Sequence, residues 1–197
     1  MKRYVGLEGV DGSGKSTVAQ ACREILETAG ERVVLVREPG GTELGEEIRR
    51  LLLHSHEMVG WAEAALFAAQ RAQLAAEVVR PALDGGAWVL SDRTYYSSLA
   101  YQGAARGLGI DKVRALNEAC LDGVLPDVVV VLDVDPKVAL ARQSGMDRIG
   151  SAGLEFQKEV AAGYRHLARV DPSRVIVVDG SGSPDVIARG IIEEAMR

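Results

Sequence analysis

The sequence predicts a three-layer α/β/α fold built on a five-stranded parallel sheet. Five short apolar runs, rich in valine, alternate with longer segments of helix-forming residues. The runs lack a clean apolar–polar alternation, which is typical of strands covered on both faces. They occupy residues 4–7, 33–36, 87–90, 128–132 and 175–178. Repeated strand–helix units join through right-handed crossovers, so helices are expected on both faces of the sheet.

The segments between these runs supply the helices. They are 16–29, 42–53, 61–83, 97–104, 110–121, 136–143, 154–168 and 184–196. Asp135 followed by Pro136 is typical of a helix cap and first turn. The stretch 144–153 contains three glycines and fits neither a strand nor a helix, which predicts a mobile loop. No repeat or linker divides the chain, so we expect a single domain over 1–197.

Composition excludes several classes of protein. The 197 residues carry 23 Lys and Arg against 28 Asp and Glu, a net charge of −5. Without a basic excess, the chain is a poor candidate for binding nucleic acid. No apolar run approaches the ~18 residues of a membrane span. Cys22 and Cys120 lie far apart without metal-ligand spacing, which predicts packing thiols in a reducing, cytoplasmic compartment.

Functional residues are expected just after each strand, because ligands of open parallel sheets bind beyond the carboxyl ends of the strands. The segments at those positions carry glycines and charged residues. They are 8–16, 37–41, 92–93, Asp133 and Asp179. This placement follows from topology alone.

The first of these segments matches the phosphate-loop pattern G-x-x-x-x-G-K-[ST] and lies between a strand and a helix. Its glycines permit backbone angles that turn successive N–H groups toward phosphate oxygens. Lys15 would reach the β- and γ-phosphates, and the Ser16 hydroxyl would bind Mg²⁺. The predicted ATP-binding residues are Gly9, Val10, Asp11, Gly12, Ser13, Gly14, Lys15, Ser16 and Thr17. The loop alone does not indicate which reaction follows.

Four motifs, in this order along the chain, together resemble those of one known family. They are 8–17 (EGVDGSGKST), 37–42 (REPGGT), 92–93 (DR) and 100–103 (AYQG). Together they closely resemble the thymidylate kinase family of phosphate-loop nucleoside monophosphate kinases. The chain also lacks the Asn/Thr-Lys-x-Asp motif of GTP-binding switches. The resemblance implies a homodimer that uses ATP and Mg²⁺ to convert dTMP to dTDP in dTTP synthesis.

The resemblance also implies how the acceptor's base and sugar are bound. Phe67 would stack on thymine and Arg71 would donate to a base oxygen, and their four-residue spacing places both on one helix face. From the residues alone, a core Phe beside a surface Arg is the favoured interpretation. Gln102 can hydrogen-bond the base edge. Tyr101 would lie beside the sugar, where its ring favours deoxyribose.

We expect charged residues that follow the strands to bind the acceptor's phosphate and the metal ion. Arg93 would hold the acceptor's 5′-phosphate with its planar fork, and Asp92 would organise Mg²⁺ through water. By resemblance, Asp11 contacts the 3′-hydroxyl of the acceptor. Glu38 faces the same crevice near metal or phosphate, or serves only as a turn residue. Thr94 stands where the family commonly has an aromatic residue or His.

The acceptor phosphate is already anionic, so catalysis requires positioning and charge neutralisation rather than a strong base. Some members of the family carry an arginine in the phosphate loop, where this chain has Gly12. We therefore expect a lid at about 142–154 to supply it, with Arg148 favoured over Arg142. On this basis Arg148→Ala would lower turnover more than dTMP binding.

Two alternative functions remain open from the sequence. One is another nucleoside monophosphate kinase or a deoxynucleoside kinase on the same scaffold. The other is a regulatory module that binds ATP without phosphorylating an acceptor.

Overall fold

The computed structural model describes residues 3–54, 57–142 and 148–196. Its sheet has five parallel strands in the order β2-β3-β1-β4-β5. The strands are β1 (Tyr4–Glu8), β2 (Val33–Arg37), β3 (Trp88–Asp92), β4 (Val128–Asp133) and β5 (Val175–Asp179). All five predicted runs are confirmed. Each strand extends one or two residues past its run and ends on a charged residue at the carboxyl edge of the sheet.

The helices follow the predicted segments closely. They are α1 (Lys15–Thr28), α2 (Glu43–His54), α3 (Gly60–Leu74), α4 (Arg80–Asp84), α5 (Tyr95–Ser98), α6 (Ile110–Leu121), α7 (Pro136–Ala141), α8 (Gly153–Val170) and α9 (Pro184–Met196). The Asp135 side chain accepts from the Lys137 backbone at 2.8 Å, which confirms the predicted cap of α7.

Two predicted helices contain a π-helical turn. The expected helix 61–83 divides into α3, a π turn over Ala75–Val79, and α4. Pro81 cannot donate to the carbonyl four residues earlier, which disfavours a regular helix there. The expected helix 97–104 begins earlier, as α5, and continues as a π turn over Leu99–Ala105. That second turn carries two of the predicted substrate residues.

Helices cover both faces of the sheet, as predicted. On one face, Val128, Val130 and Leu132 pack with residues of α1 and α9. On the other, Val129 and Val131 pack with residues of α3, α6, α8 and the segment that begins at α5. Neighbouring residues of one strand therefore enter different cores, which explains why its sequence is apolar throughout.

The prediction of a loop over 144–153 is partly wrong. Residues 143–147 lie outside the described residues, so the centre of the expected lid does too. Gly150–Ala152 form a short 3₁₀ turn, and α8 begins at Gly153 rather than after it. Within the described ranges, no helix combines the length and apolar character needed to cross a membrane.

The strand order places a crevice at the carboxyl edge of the sheet. β1 lies between β3 and β4, and the chain reverses its direction of winding there. Open sheets of this type bind ligands at such a point. Leu7 pairs with Asp92, and Asp92 pairs with Arg37 on its other side. The ends of β1, β2 and β3 therefore meet around one space.

Candidate active site

The phosphate loop connects β1 to α1 and is closely packed. Gly14 lies at the N-terminus of α1 with φ 94°, in the left-handed region where glycine is favoured. Gly12 has φ 82°, and a Cβ built there would collide with the carbonyl of Ala139 in α7. This contact gives a physical reason why the chain has no arginine at position 12.

Lys15 is buried beneath the loop. Its Nζ donates to the carbonyls of Gly9 at 3.1 Å and Val10 at 2.9 Å. Burial, followed by repulsion from Arg93, lowers the pKa of Lys15 to about 8. The ammonium must therefore exchange these carbonyls for phosphate oxygens when a nucleotide binds.

The two predicted metal residues lie together. The exposed Ser16 hydroxyl donates to the Asp92 carboxylate across the gap between α1 and β3. In the described part of the chain, no group of three or more His, Cys, Asp or Glu gathers into a metal cage. Mg²⁺ commonly binds through one or two carboxylates together with phosphate oxygens and water. The Ser16–Asp92 pair therefore fits a metal shared with a bound nucleotide.

Arg93 has an unusual backbone conformation. Its φ is 78°, in the left-handed region that a non-glycine residue rarely adopts. The Arg93 N–H donates to the Leu7 carbonyl at 2.9 Å. The next residue, Thr94, donates to the buried Glu8 carboxylate from its backbone N at 2.7 Å and its hydroxyl at 2.8 Å. Glu8 and β1 thus fix the backbone around Arg93, as is common at functional sites.

The Arg93 side chain organises the residues around it. Its guanidinium donates to Asp11, to Ser97 Oγ at 3.0 Å and to Tyr101 OH at 3.3 Å. Burial alone would raise the pKa of Asp11, but the charges of Arg93 and then Lys15 lower it below its usual value. Asp11 is therefore an ionised hydrogen-bond acceptor at neutral pH.

Two cavities meet at the phosphate loop. The first, of about 300 Å³, contains most of the predicted substrate residues; its lining includes Asp11, Glu38, Phe67, Asp92, Arg93, Tyr101 and Gln102. The second, of about 500 Å³, lies on the nucleotide side; its lining includes 12–18, Arg142, 180–182 and Ile187. The cavities share Gly12, Lys15 and Ser16. A ligand in one cavity can therefore approach a ligand in the other at Lys15.

Arg71 is placed differently from its predicted neighbour Phe67. Phe67 lines the first cavity, whereas Arg71 is almost fully buried behind it. The Arg71 Nε donates to Glu38 at 2.6 Å, and its Nη2 donates to the Thr94 carbonyl at 3.3 Å. In this conformation Arg71 supports the wall through Glu38. Its contact with a base stays a prediction.

The two lid arginines also lie apart. Arg148, the arginine that the sequence favours for catalysis, donates to Glu63 at 2.7 Å and to the Leu52 carbonyl at 2.9 Å. These contacts lie at the start of α3 and the end of α2. Arg142 instead lines the nucleotide cavity beside the phosphate loop. The buried carboxylate of Glu63, which sequence patterns do not reveal, accounts for the position of Arg148.

Several residues that line the first cavity have no specific role assigned from the sequence. Arg37 and Arg49 contribute positive charge to its lining. Arg37 is part of a recognised motif, but Arg49 is one of two adjacent arginines in α2, and only packing distinguishes them. Asp133, which the sequence places just after a strand, is paired on the surface with Arg165 at 2.9 Å.

A phosphate loop flanked by a nucleotide cavity and a cationic acceptor cavity, on a five-stranded parallel sheet, defines the class of phosphate-loop nucleotide kinases. A family model described as thymidylate kinase matches residues 7–191. The chain is 43% identical over 195 residues to the thymidylate kinase of Kosmotoga olearia, covering 97% of this chain and 94% of the relative. It is 42% identical over 198 residues to that of Trichormus variabilis, covering 97% and 94%. The chain belongs to the thymidylate kinase family.

Proposed function

We propose that this protein transfers the γ-phosphoryl group of ATP to dTMP, giving ADP and dTDP for dTTP synthesis. The observation that carries the proposal is the pair of cavities that share Gly12, Lys15 and Ser16. Each cavity accommodates one nucleotide, with its phosphates toward the shared loop. The two substrates then lie tail to tail, which aligns the transferred group with its acceptor.

The residues of the first cavity suit a nucleoside monophosphate. Arg93 is placed to hold the 5′-phosphate, and the ionised Asp11 can accept from a 3′-hydroxyl. Phe67 provides a flat apolar surface for a base. Tyr101 donates to Asp11 at 3.2 Å, which holds its ring beside the sugar position. A ring at that place favours a sugar without a 2′-hydroxyl.

The chemistry requires charge neutralisation by groups already present. Lys15 and the N–H groups of the phosphate loop would bind the phosphates of ATP, and Arg93 would bind the acceptor. Ser16 and Asp92 are the residues that would hold Mg²⁺. Bound there, Mg²⁺ would neutralise charge on the phosphate oxygens. The anionic acceptor oxygen needs no base.

Arg142 and Arg148 remain the candidates for the arginine at the transferred group. Arg142 is better placed in this conformation, because it lines the nucleotide cavity with the phosphate loop. Arg148 would have to leave Glu63 to reach the same point. Closure of the predicted lid, whose residues 143–147 lie outside the described residues, would exclude water and suppress ATP hydrolysis.

The proposed assembly is a homodimer, as the resemblance implies. Large apolar side chains at the start of α3 support it, since Val59 is 74% exposed and Trp61 is 46% exposed. The proposed compartment is the cytoplasm, supported by the free thiols of Cys22 and Cys120.

A coupled assay of ADP release, with and without dTMP, tests the proposal directly. We expect ADP to form rapidly only when dTMP is present. A panel of dUMP, AMP, CMP and thymidine then separates dTMP phosphorylation from the other nucleotide and nucleoside kinase activities. Equal ADP release with and without dTMP would contradict phosphoryl transfer to dTMP. ATP binding without turnover would instead support a regulatory module.

A further inference from the structure

A buried carboxylate outside the proposed reaction lies next to the acceptor cavity. Glu63, in the first turn of α3, is 1% exposed. Its Oε1 accepts from Gln102 Nε2 at 2.8 Å and from Arg106 Nε at 3.2 Å. Its Oε2 accepts from Arg106 Nη2 at 3.2 Å and from Arg148 Nη1 at 2.7 Å. The carboxylate therefore joins the cavity wall to two arginines.

Glu63 is ionised at neutral pH. Burial would raise its pKa, but the hydrogen bond from Gln102 and then those from Arg148 and Arg106 lower it below its usual value. An ionised carboxylate can only accept hydrogen bonds, whereas an amide can donate from one end and accept at the other. Gln102 must therefore turn its NH₂ group toward Glu63.

This orientation determines what Gln102 offers to a ligand. Gln102 lines the acceptor cavity although it is only 2% exposed. No described residue donates a hydrogen bond to Gln102 Oε1. Among the described residues, Gln102 Oε1 is also not one of the buried side-chain atoms that lack a hydrogen-bond partner. The carbonyl oxygen is thus the end of the amide that remains for a ligand in the cavity.

We propose that Glu63 is a positioning residue that sets the nucleobase class of the acceptor by holding the Gln102 carbonyl oxygen toward the cavity. This inference rests on the proposed function, in which that cavity binds the base of the acceptor nucleotide. Thymine and uracil carry an N–H donor at N3, which pairs with an oxygen. Cytosine carries a lone pair at N3, which meets that oxygen as a second acceptor. A site built this way rejects cytosine because two acceptors face each other without a proton.

The substitution Glu63→Gln tests the orienting role. Gln at position 63 can donate as well as accept, so the Gln102 amide becomes free to rotate and present its NH₂ group to cytosine N3. We expect the ratio of kcat/KM for dTMP to kcat/KM for dCMP to fall by about tenfold to a hundredfold. A merely structural role for Glu63 would lower kcat/KM for both nucleotides alike and leave the ratio at the wild-type value.

A matched control uses a second Gln–Glu pair, neither member of which lines the cavity. Gln73 donates to the exposed Glu77 on the outside of the π turn after α3. Glu77→Gln makes the same chemical change as Glu63→Gln. It should leave both kcat/KM values and their ratio unchanged.

Gln102→Met provides a test that does not depend on the folding of the Glu63 variant. Methionine has a similar volume and no carbonyl oxygen, so the dTMP to dCMP ratio should fall as it does in Glu63→Gln. Adding Glu63→Gln to this background should change the ratio no further, because both changes act through one amide.

The outcomes separate this inference from the proposed function. A folded Glu63→Gln enzyme with the wild-type ratio would overturn the inference, as would a Gln102→Met enzyme that keeps it. A further drop in the double variant would also overturn it, since Glu63 would then act by another route. A wild-type enzyme that does not prefer dTMP to dCMP would instead contradict the proposed function itself.

Discussion

Individual side chains in this site are held in states that their sequence neighbours do not determine. Lys15 is the clearest case, because a motif predicts its presence while burial and Arg93 set its charge. Arg71 is another, since its guanidinium forms a buried pair with Glu38. Breaking a buried ion pair costs about 3–5 kcal/mol. Loss of activity in an Arg71 variant would therefore report on folding as much as on base recognition.

The depressed pKa of Lys15 predicts a pH dependence. Below about pH 8 the free enzyme carries a protonated Lys15, and above it the ammonium loses its proton and its attraction for phosphate. Since kcat/KM reports the free enzyme, kcat/KM for ATP should fall as the pH rises from about 8 to about 9.5. Bound phosphates favour the charged form, so kcat should fall only at higher pH.

Steady-state kinetics across this pH range give the measurement. Lys15→Arg is the control, because a guanidinium stays protonated throughout. Its kcat/KM for ATP should be lower but flat above pH 8. A wild-type profile that is also flat would show that Lys15 keeps its proton in the free enzyme.

At the scale of elements, we expect the phosphate loop and the predicted lid to neutralise different parts of the charge on the phosphates. An arginine at position 12 would collide with the Ala139 carbonyl of α7. The described ends of the predicted lid lie in different places: Arg142 lines the nucleotide cavity, whereas Arg148 is paired with Glu63, which also holds Gln102 of the acceptor cavity. Their substitutions should therefore affect different kinetic constants.

We expect Arg142→Ala to lower kcat by about 10³-fold or more with little change in KM for dTMP, as for an arginine at the transferred group. Arg148→Ala should mainly raise KM for dTMP, because its partner Glu63 also holds Gln102. Steady-state kinetics on both variants make the comparison. Arg80→Ala, which removes an exposed arginine paired with Asp122, is the surface control. A large loss of kcat in Arg148→Ala alone would instead support the catalytic role that the sequence favours for Arg148.

The whole molecule places two ligand cavities on either side of one loop, and their continuity is itself testable. Adenosine and thymidine joined through their 5′ positions by a polyphosphate should occupy both cavities at once. Linking two ligands makes the second binding event intramolecular. A ligand that binds only the folded state raises the Tm according to its affinity.

The linked dinucleotide should therefore raise the Tm more than ATP or dTMP does at the same concentration. Thermal unfolding measures the shift. A dinucleotide with adenosine at both ends is the matched control, since its second base does not suit the acceptor cavity. A shift no larger than that given by ATP would indicate that the two cavities do not accept one continuous ligand.

Several residues in the family motifs of the sequence lie close together in the structure. Lys15, Asp92 and Arg93 follow strands, and parallel strands end at one edge, so their proximity could be predicted. Arg49 and Glu63 could not, because each lies within a helix where charged residues are usual on the solvent side. Their roles depend on which helix face the sheet leaves open.

The sequence by itself determined the order of strands and helices, the phosphate loop and the set of side chains after each strand, since these follow from local periodicity and from backbone freedom at glycines. Only the tertiary structure decided which of those side chains are ionised, oriented or held away from the crevice. Hydrogen bonds and burial between segments distant in the chain, such as Glu63 with Gln102 and Arg148, set those states. Such contacts depend on three-dimensional packing, which local sequence patterns do not encode.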